Sequence, residues 1–326
     1  MRRALVLGLI ALLVPASLSI ALVVGSVSID AATLWSVFTE NTTGVAHTLV
    51  YELRLPRALS AFAVGGLLAL AGTLLQVLMR NPLADPYVLG VSGGASVAAL
   101  AALLIGVASS FVGVAAFAGA IASMLLVFGL SRAGNGGTSR LLLTGVVIAS
   151  GWGACISLLL VVAPVARLQG MLFWLLGDLS NARHPGSALT VLALGLGVAL
   201  SLARALNVLV RGETIAAALG EHPARLRTLV YLLASLLTAT AVTTAGGIGF
   251  VGLIVPHILR LLGLADHRLL LPGSVLAGGS LLVIADTLAR TVAAPIQLPV
   301  GILTALLGVP VFLFLLTRRG ASTGDA

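Results

Sequence analysis

The strongest constraint on this chain is a recurrence of apolar runs, each long enough to cross a bilayer as a helix. They fall at about 4–24, 58–79, 91–107, 112–131, 141–163, 187–206, 228–245, 248–264, 269–288 and 301–317. A hydrocarbon core about 30 Å thick needs roughly 20 apolar residues per helical span. Ten spans use about 210 residues and leave about 110 for connections, too few for a large soluble domain. Composition agrees: only 9% of the 326 residues are charged and mean hydropathy is +1.17. A soluble surface takes about 25% charged residues. A transmembrane barrel is excluded, because its strands alternate apolar and polar residues and these runs do not. The expectation is one all-α, polytopic membrane domain over residues 1–326. The first run follows Arg2-Arg3 and continues to about Gly25, so it reads as a retained span and not a cleaved signal. The third and eighth runs are short or glycine-rich.

All eighteen basic residues are arginine; there is no lysine. A phosphate-binding loop of the Walker type needs a Lys on the β/γ-phosphates, so this chain does not hydrolyse ATP by that device. The arginines stand singly or in pairs between apolar runs, which suits membrane orientation and not nucleic acid. With the N-terminus inside, Arg2, Arg3, Arg80, Arg132, Arg140, Arg204, Arg211, Arg225, Arg227, Arg260, Arg268, Arg318 and Arg319 share one side. Arg54, Arg57, Arg167, Arg183 and Arg290 share the other. Thirteen against five places both termini in the cytoplasm. The five outer arginines are exceptions that want a reason.

Several short matches carry no chemistry. Gly247-x-Gly249-x-x-Gly252 has the letters of a dinucleotide fingerprint but lies among spans and not in a βαβ unit. Gly90-Val91-Ser92-Gly93 has the letters of an intramembrane serine protease, yet reads as a glycine-rich helix start. No His, Cys, Asp or Glu cluster has metal-ligand spacing, so no metal, cofactor or catalytic residue is expected. Cys155 is single and lies in an apolar run. Asp286, the one acid inside a run, stands four residues before Arg290, the spacing of a helical ion pair. An ion-coupled secondary carrier is the rival of another class; it would bury several such acids. Gly145, Ala149 and Gly153 fall on one helix face, the small-residue pattern of close helix contact.

Two segments rise above this background. One runs through Arg54-Leu55-Pro56-Arg57, Gln76, Asn81-Pro82-Leu83-Ala84-Asp85-Pro86 and Gly90-Val91-Ser92-Gly93-Gly94-Ala95. The other runs from Gly246 to Arg260, then through Asp266-His267-Arg268, Asp286, Arg290, Leu298-Pro299-Val300-Gly301 and Gly308-Val309-Pro310. In order and spacing these strings resemble the FecCD-type permease family, over about residues 50–317. Its members are membrane subunits of ABC importers for iron-siderophores, haem and cobalamin. The resemblance implies the type II importer permease fold of ten helices and a homodimer around a central path. It also implies two separate ABC ATPase subunits and a periplasmic or lipoprotein substrate-binding protein. A ferric-siderophore is the favoured cargo, with haem and cobalamin as alternatives.

The resemblance assigns Arg54, Arg57 and Arg290 to docking of the binding protein. It makes the cytoplasmic loop 207–227 the ATPase-coupling element. There Glu213, Ile215, Ala218, Leu219, Gly220 and Arg225 form or flank a short helix that ends at glycine. It places Thr138 and Ser139 at a cytoplasmic gate. One position departs from the pattern: Gln297 stands where members usually carry Glu before the Leu-Pro-Val-Gly string.

Overall fold

The computed structural model describes residues 2–25, 29–39, 44–132 and 138–320. Each of the ten apolar runs is helical. They correspond to α1 (Arg2–Val23), α4 (Leu55–Leu78), α5 (Val91–Ile105), α6 (Ser109–Arg132), α7 (Thr138–Val162), α9 (Gly186–Ser201), α12 (Pro223–Ala245), α13 (Val251–Leu261), α14 (His267–Thr291) and α15 (Val300–Gly320). Between them lie short helices α2 (Ala31–Thr39), α3 (Val45–Thr48), α8 (Val165–Leu175), α10 (Ala203–Leu209) and α11 (Glu213–Ala218). Among the described residues six helices are long and apolar enough to cross a membrane. A seventh span comes from α9 with α10, which meet at a 61° bend. The third and eighth runs give helices of only 15 and 11 residues.

Helix α4 is the centre of the bundle and is buried along almost its whole length. α14, α12, α13 and α9 surround it. Lipid removes the hydrophobic incentive for helices to associate, so close backbone approach has to supply the attraction. α4 obtains that approach with glycine. A Cβ on Gly278 of α14 would sit 2.6 Å from the Gly65 carbonyl oxygen, and one on Gly252 of α13 would sit 2.7 Å from that of Leu68. α5 and α6 meet in the same way through Gly94 and Gly119.

The small-residue face expected on α7 is only partly covered within the chain. Gly145 is buried, but Gly153 is exposed with nothing beside it. α7 is held at its middle by one polar chain: Trp152 Nε1 donates to Ser123 Oγ at 2.8 Å, and Ser123 Oγ donates to the Gly90 carbonyl at 2.8 Å. The rest of α7 is largely uncovered.

Candidate functional site: an arginine cluster, a glycine junction and an exposed loop

At the end of the bundle that holds Arg57, Asp286 gathers charge from two helices. The side is buried, with Asp286 only 1% exposed. Arg57 Nη2 donates to Asp286 Oδ1 at 2.8 Å and Arg57 Nε to Oδ2 at 3.0 Å. Arg290 Nε forms the expected (i, i+4) ion pair with Oδ2 at 3.2 Å. Arg57 also donates through Nη1 to Gln297 Oε1 at 3.0 Å. Gln297 therefore satisfies the guanidinium without cancelling its charge.

Arg54 faces inward. The π-helical turn Leu49–Arg54 directs it to the end of α1, where Nη1 donates to the carbonyls of Leu22 at 2.5 Å and Val23 at 3.0 Å. Arg290 Nη2 adds a longer bond of 3.4 Å to Ala21. Cations at a helix C-terminus meet its orphan carbonyls and the negative end of its dipole. Arg167 does the same for α5, donating to the carbonyls of Leu103 and Leu104. Four of the five exceptional arginines thus have a task within the chain. Arg54, Arg57 and Arg290, the residues expected at the docking surface, are also engaged within the chain: Arg57 by an acid 229 residues away and Arg54 by a helix end 32 residues away. The fifth, Arg183, is exposed. It shares the rim of a cavity of about 220 Å³ with Glu52, Arg57, Ser180, Arg290 and Gln297.

The glycine strings meet in a junction inside the bundle. The Gly177 carbonyl accepts from Val300 N at 2.9 Å, and Asp178 N donates to Ala245 O at 2.8 Å. A Cβ on Gly177, whose φ is +80°, would lie 2.6 Å from the Gly247 carbonyl oxygen. Ile248 N donates to the Tyr87 hydroxyl at 2.7 Å. Gln76 Nε2 donates to the carbonyls of Gly252 at 3.3 Å and Leu253 at 3.2 Å, and its Oε1 accepts from Arg260. The two unusual segments of the sequence are therefore partners in one backbone joint, and the dinucleotide-like glycines serve close approach. Beside the joint, α8 and α12 enclose a cavity of about 560 Å³ lined by Gln169, Phe173, Trp174, Asp178, Asn181 and Thr243 among others.

The opposite end holds the loop 207–227. Gly212 starts α11 and Gly220, at φ +85°, follows its end. Gly220 N donates to Ala217 O and Glu221 N to Ala216 O, both at 3.0 Å, which satisfies the last carbonyls of the helix. Ala216 is buried and anchors the helix, while Ile215, Ala218 and Leu219 are exposed. Glu213 Oε1 accepts from Arg227 Nη1 at 3.1 Å, and Arg225 is exposed. Ser139 is exposed at the start of α7; the backbone of Thr138 begins that helix.

One latch in this region was not visible in the sequence. Asn207 Oδ1 lies 2.7 Å from His267 Nδ1 and accepts from His267 N at 3.0 Å, while Asn207 Nδ2 donates to Asp266 Oδ1 at 2.7 Å. Asp266 in turn accepts from Arg268 N at 3.0 Å and caps α14. These bonds, that to Arg268 N first, hold the Asp266 carboxyl below its ordinary pKa.

A many-helix bundle with buried ion pairs, glycine-packed spans and an exposed loop defines a polytopic helical membrane protein. Comparison makes the assignment specific. Residues 11–318 match the FecCD transport family, and the chain belongs to it. A cobalamin import system permease protein, BtuC, of Halobacterium salinarum is 45% identical over 278 residues, 84% of this chain and 74% of that protein. A hemin transport system permease protein, HmuU, of Yersinia pestis is 40% identical over 307 residues, 90% of each chain. An inward-facing structure assigned to a metal-chelate type ABC transporter superposes with a TM-score of 0.84 at 32% identity, covering 97% of this chain and 99% of that one.

Proposed function

We propose that this chain is the membrane permease subunit of a binding-protein-dependent ABC importer for a ferric-siderophore or a related iron or corrinoid chelate. Two copies form the path, two separate ATPase subunits attach to the loop 207–227, and a binding protein docks at the Arg57 end. The protein lies in the cytoplasmic membrane with both termini inside. The observation that carries this reading is the family match over 11–318 together with an exposed apolar helix face at Ile215, Ala218 and Leu219. An apolar ridge flanked by Arg225 and the Glu213–Arg227 pair suits a groove in a soluble partner.

Docking is electrostatic in this scheme. Asp286 neutralises one of the two guanidinium groups it binds, so Arg57 and Arg290 keep a net positive charge near the rim, with Arg183 beside them. Arg54 contributes by fixing the end of α1. Exposed charge pairs add only about 0–1 kcal/mol each but steer encounter and set orientation. Energy for transport comes from the ATPases, whose closure biases two conformations of the bundle through the loop.

The test is reconstitution with ATPase and binding protein in liposomes, offering ferric-siderophore, haem and cobalamin separately. ATP-dependent uptake of one of these, lost on omission of the ATPase, is expected. Accumulation driven by an ion gradient with no ATPase present would overturn the reading in favour of a secondary carrier. Haem and cobalamin stay within the comparison because both named relatives carry such cargoes in their own systems.

A further inference from the structure

Three arginines from separate parts of the chain line one cavity of about 570 Å³ at the end opposite Asp286. Arg80 follows α4, Arg211 lies between α10 and α11, and Arg227 belongs to α12. Ser139, Glu213 and Thr214 complete the polar lining. Glu213 is the one acid among the described lining residues, so three positive charges less one negative charge leave a net charge of +2. Glu213 is occupied by Arg227 at 3.1 Å.

The backbone of Arg80 is a second, independent observation. Its φ is +47°, in the left-handed region where a Cβ is disfavoured. Asn81 N donates to Gln76 O at 3.2 Å and Arg80 N to Val77 O at 3.1 Å, closing α4 in the manner that ordinarily places glycine at this position. Glycine would relieve the strain; an arginine here keeps a guanidinium in place at that cost. That guanidinium lies over Gly212, whose φ of +122° excludes most side chains: a Cβ there would sit 4.0 Å from Arg80 Nη1. The strained residue and the glycine together leave the cavity open and basic.

We propose that this cavity binds an oxyanion of the phosphate class, held by Arg80, Arg211 and Arg227 with the Ser139 hydroxyl. Arginine presents a planar fork that matches phosphate bidentately. The C-terminal end of α4 and the starts of α7 and α12 converge here, at the boundary of the spans. Basic pockets between span ends on the cytoplasmic side are suited to anionic headgroups. A lipid phosphodiester and free phosphate present the same chemistry to this lining. The inference does not depend on the transport reading, because it concerns binding by the isolated chain.

The full chain in nanodiscs of pure phosphatidylcholine is titrated with inorganic phosphate at constant ionic strength, and melting temperature is followed. A parallel series replaces phosphatidylcholine stepwise with phosphatidylglycerol. Saturable stabilisation in at least one series is expected. A response to phosphatidylglycerol alone assigns the site to a headgroup, and a response to phosphate assigns it to a free anion. Arg80→Gln with Arg211→Gln should raise the midpoint by at least about tenfold, since each lost charge-assisted bond is strong. Arg204→Gln, exposed on the same end but outside the cavity, should leave it unchanged. If the double variant fails to fold, Arg211→Lys alone should still weaken binding by losing the fork. No saturable response in either series, an unchanged midpoint in the cavity variants, or an equal loss in Arg204→Gln would overturn the proposal.

Discussion

Asp286 shows how a single side chain organises one end of the molecule. Its two oxygens receive Arg57 from α4 and Arg290 from its own helix, and little water reaches them. Removing one partner of a buried ion pair is far worse than the pair's net contribution, because the remaining charges are stranded. Asp286→Asn leaves two guanidinium groups facing a neutral amide and should destabilise the fold by about 3 kcal/mol. Thermal unfolding in detergent checks this, with Gln297→Ala as the comparison. Gln297 is exposed, so that variant should cost less than about 1 kcal/mol. The opposite change, Gln297→Glu, adds a carboxylate beside Arg57 at little cost in stability. It should weaken attachment of an acidic binding protein in a pull-down at low salt. Undiminished attachment would remove Arg57 from the docking surface. Half of this cluster could be read from residue order: the Asp286–Arg290 pair follows from helical spacing. Arg57 lies 229 residues from Asp286, and no local pattern announces a contact of that span.

At the scale of elements, α14 joins the two ends. Asp286 and Arg290 sit in its last turns, while Asp266 and His267 at its start are tied to Asn207 of α10. If the loop 207–227 couples to the ATPases as proposed, Asn207 is the contact through which its movement reaches α14. Asn207→Ala should lower substrate-stimulated ATPase activity of the assembled complex severalfold and leave the basal rate intact. Equal loss of both rates would make Asn207 a folding residue only. The same cap has a pH signature. The Asp266 pKa is lowered on folding, so its stabilisation is complete above the ordinary value of 3.8 and disappears as pH falls through the lowered folded value. Between pH 5 and pH 3, Asp266→Asn should lose less stability than the unaltered protein, because the amide caps without titrating. Melting temperatures at both pH values check the difference.

The long helices were legible because lipid demands continuous apolar runs. α8 was not: it has only eleven residues, carries Arg167 and Gln169, and follows Pro164. Its position depends on the glycine junction, which brings together segments about 70 and 120 residues apart in the chain and is a tertiary feature.

For the molecule as a whole, burial is uneven in a way that points to assembly. α4 is enclosed on every side, whereas α7, equally apolar, presents Val146, Val147, Leu158, Val161 and Val162 outward. Lipid can cover such a face, so apolar exposure alone decides nothing. Small residues do discriminate, since lipid-facing helices have no need of them: Gly151, Gly153 and Ala154 are exposed on the same helix, and a Cβ on either glycine would meet nothing within 4 Å. In the proposed homodimer a two-fold axis brings a self-complementary patch onto its own copy. Glycine on that patch lets the two backbones approach, as Gly65 and Gly278 do within the chain. Gly151→Leu should then leave the folded monomer intact, because that position is open, yet shift the detergent-solubilised protein from dimer to monomer. Multi-angle light scattering reads the mass and circular dichroism the fold. A variant that stays dimeric would move the interface to another face, with the exposed Leu306, Leu307 and Val309 of α15 as the next surface to alter.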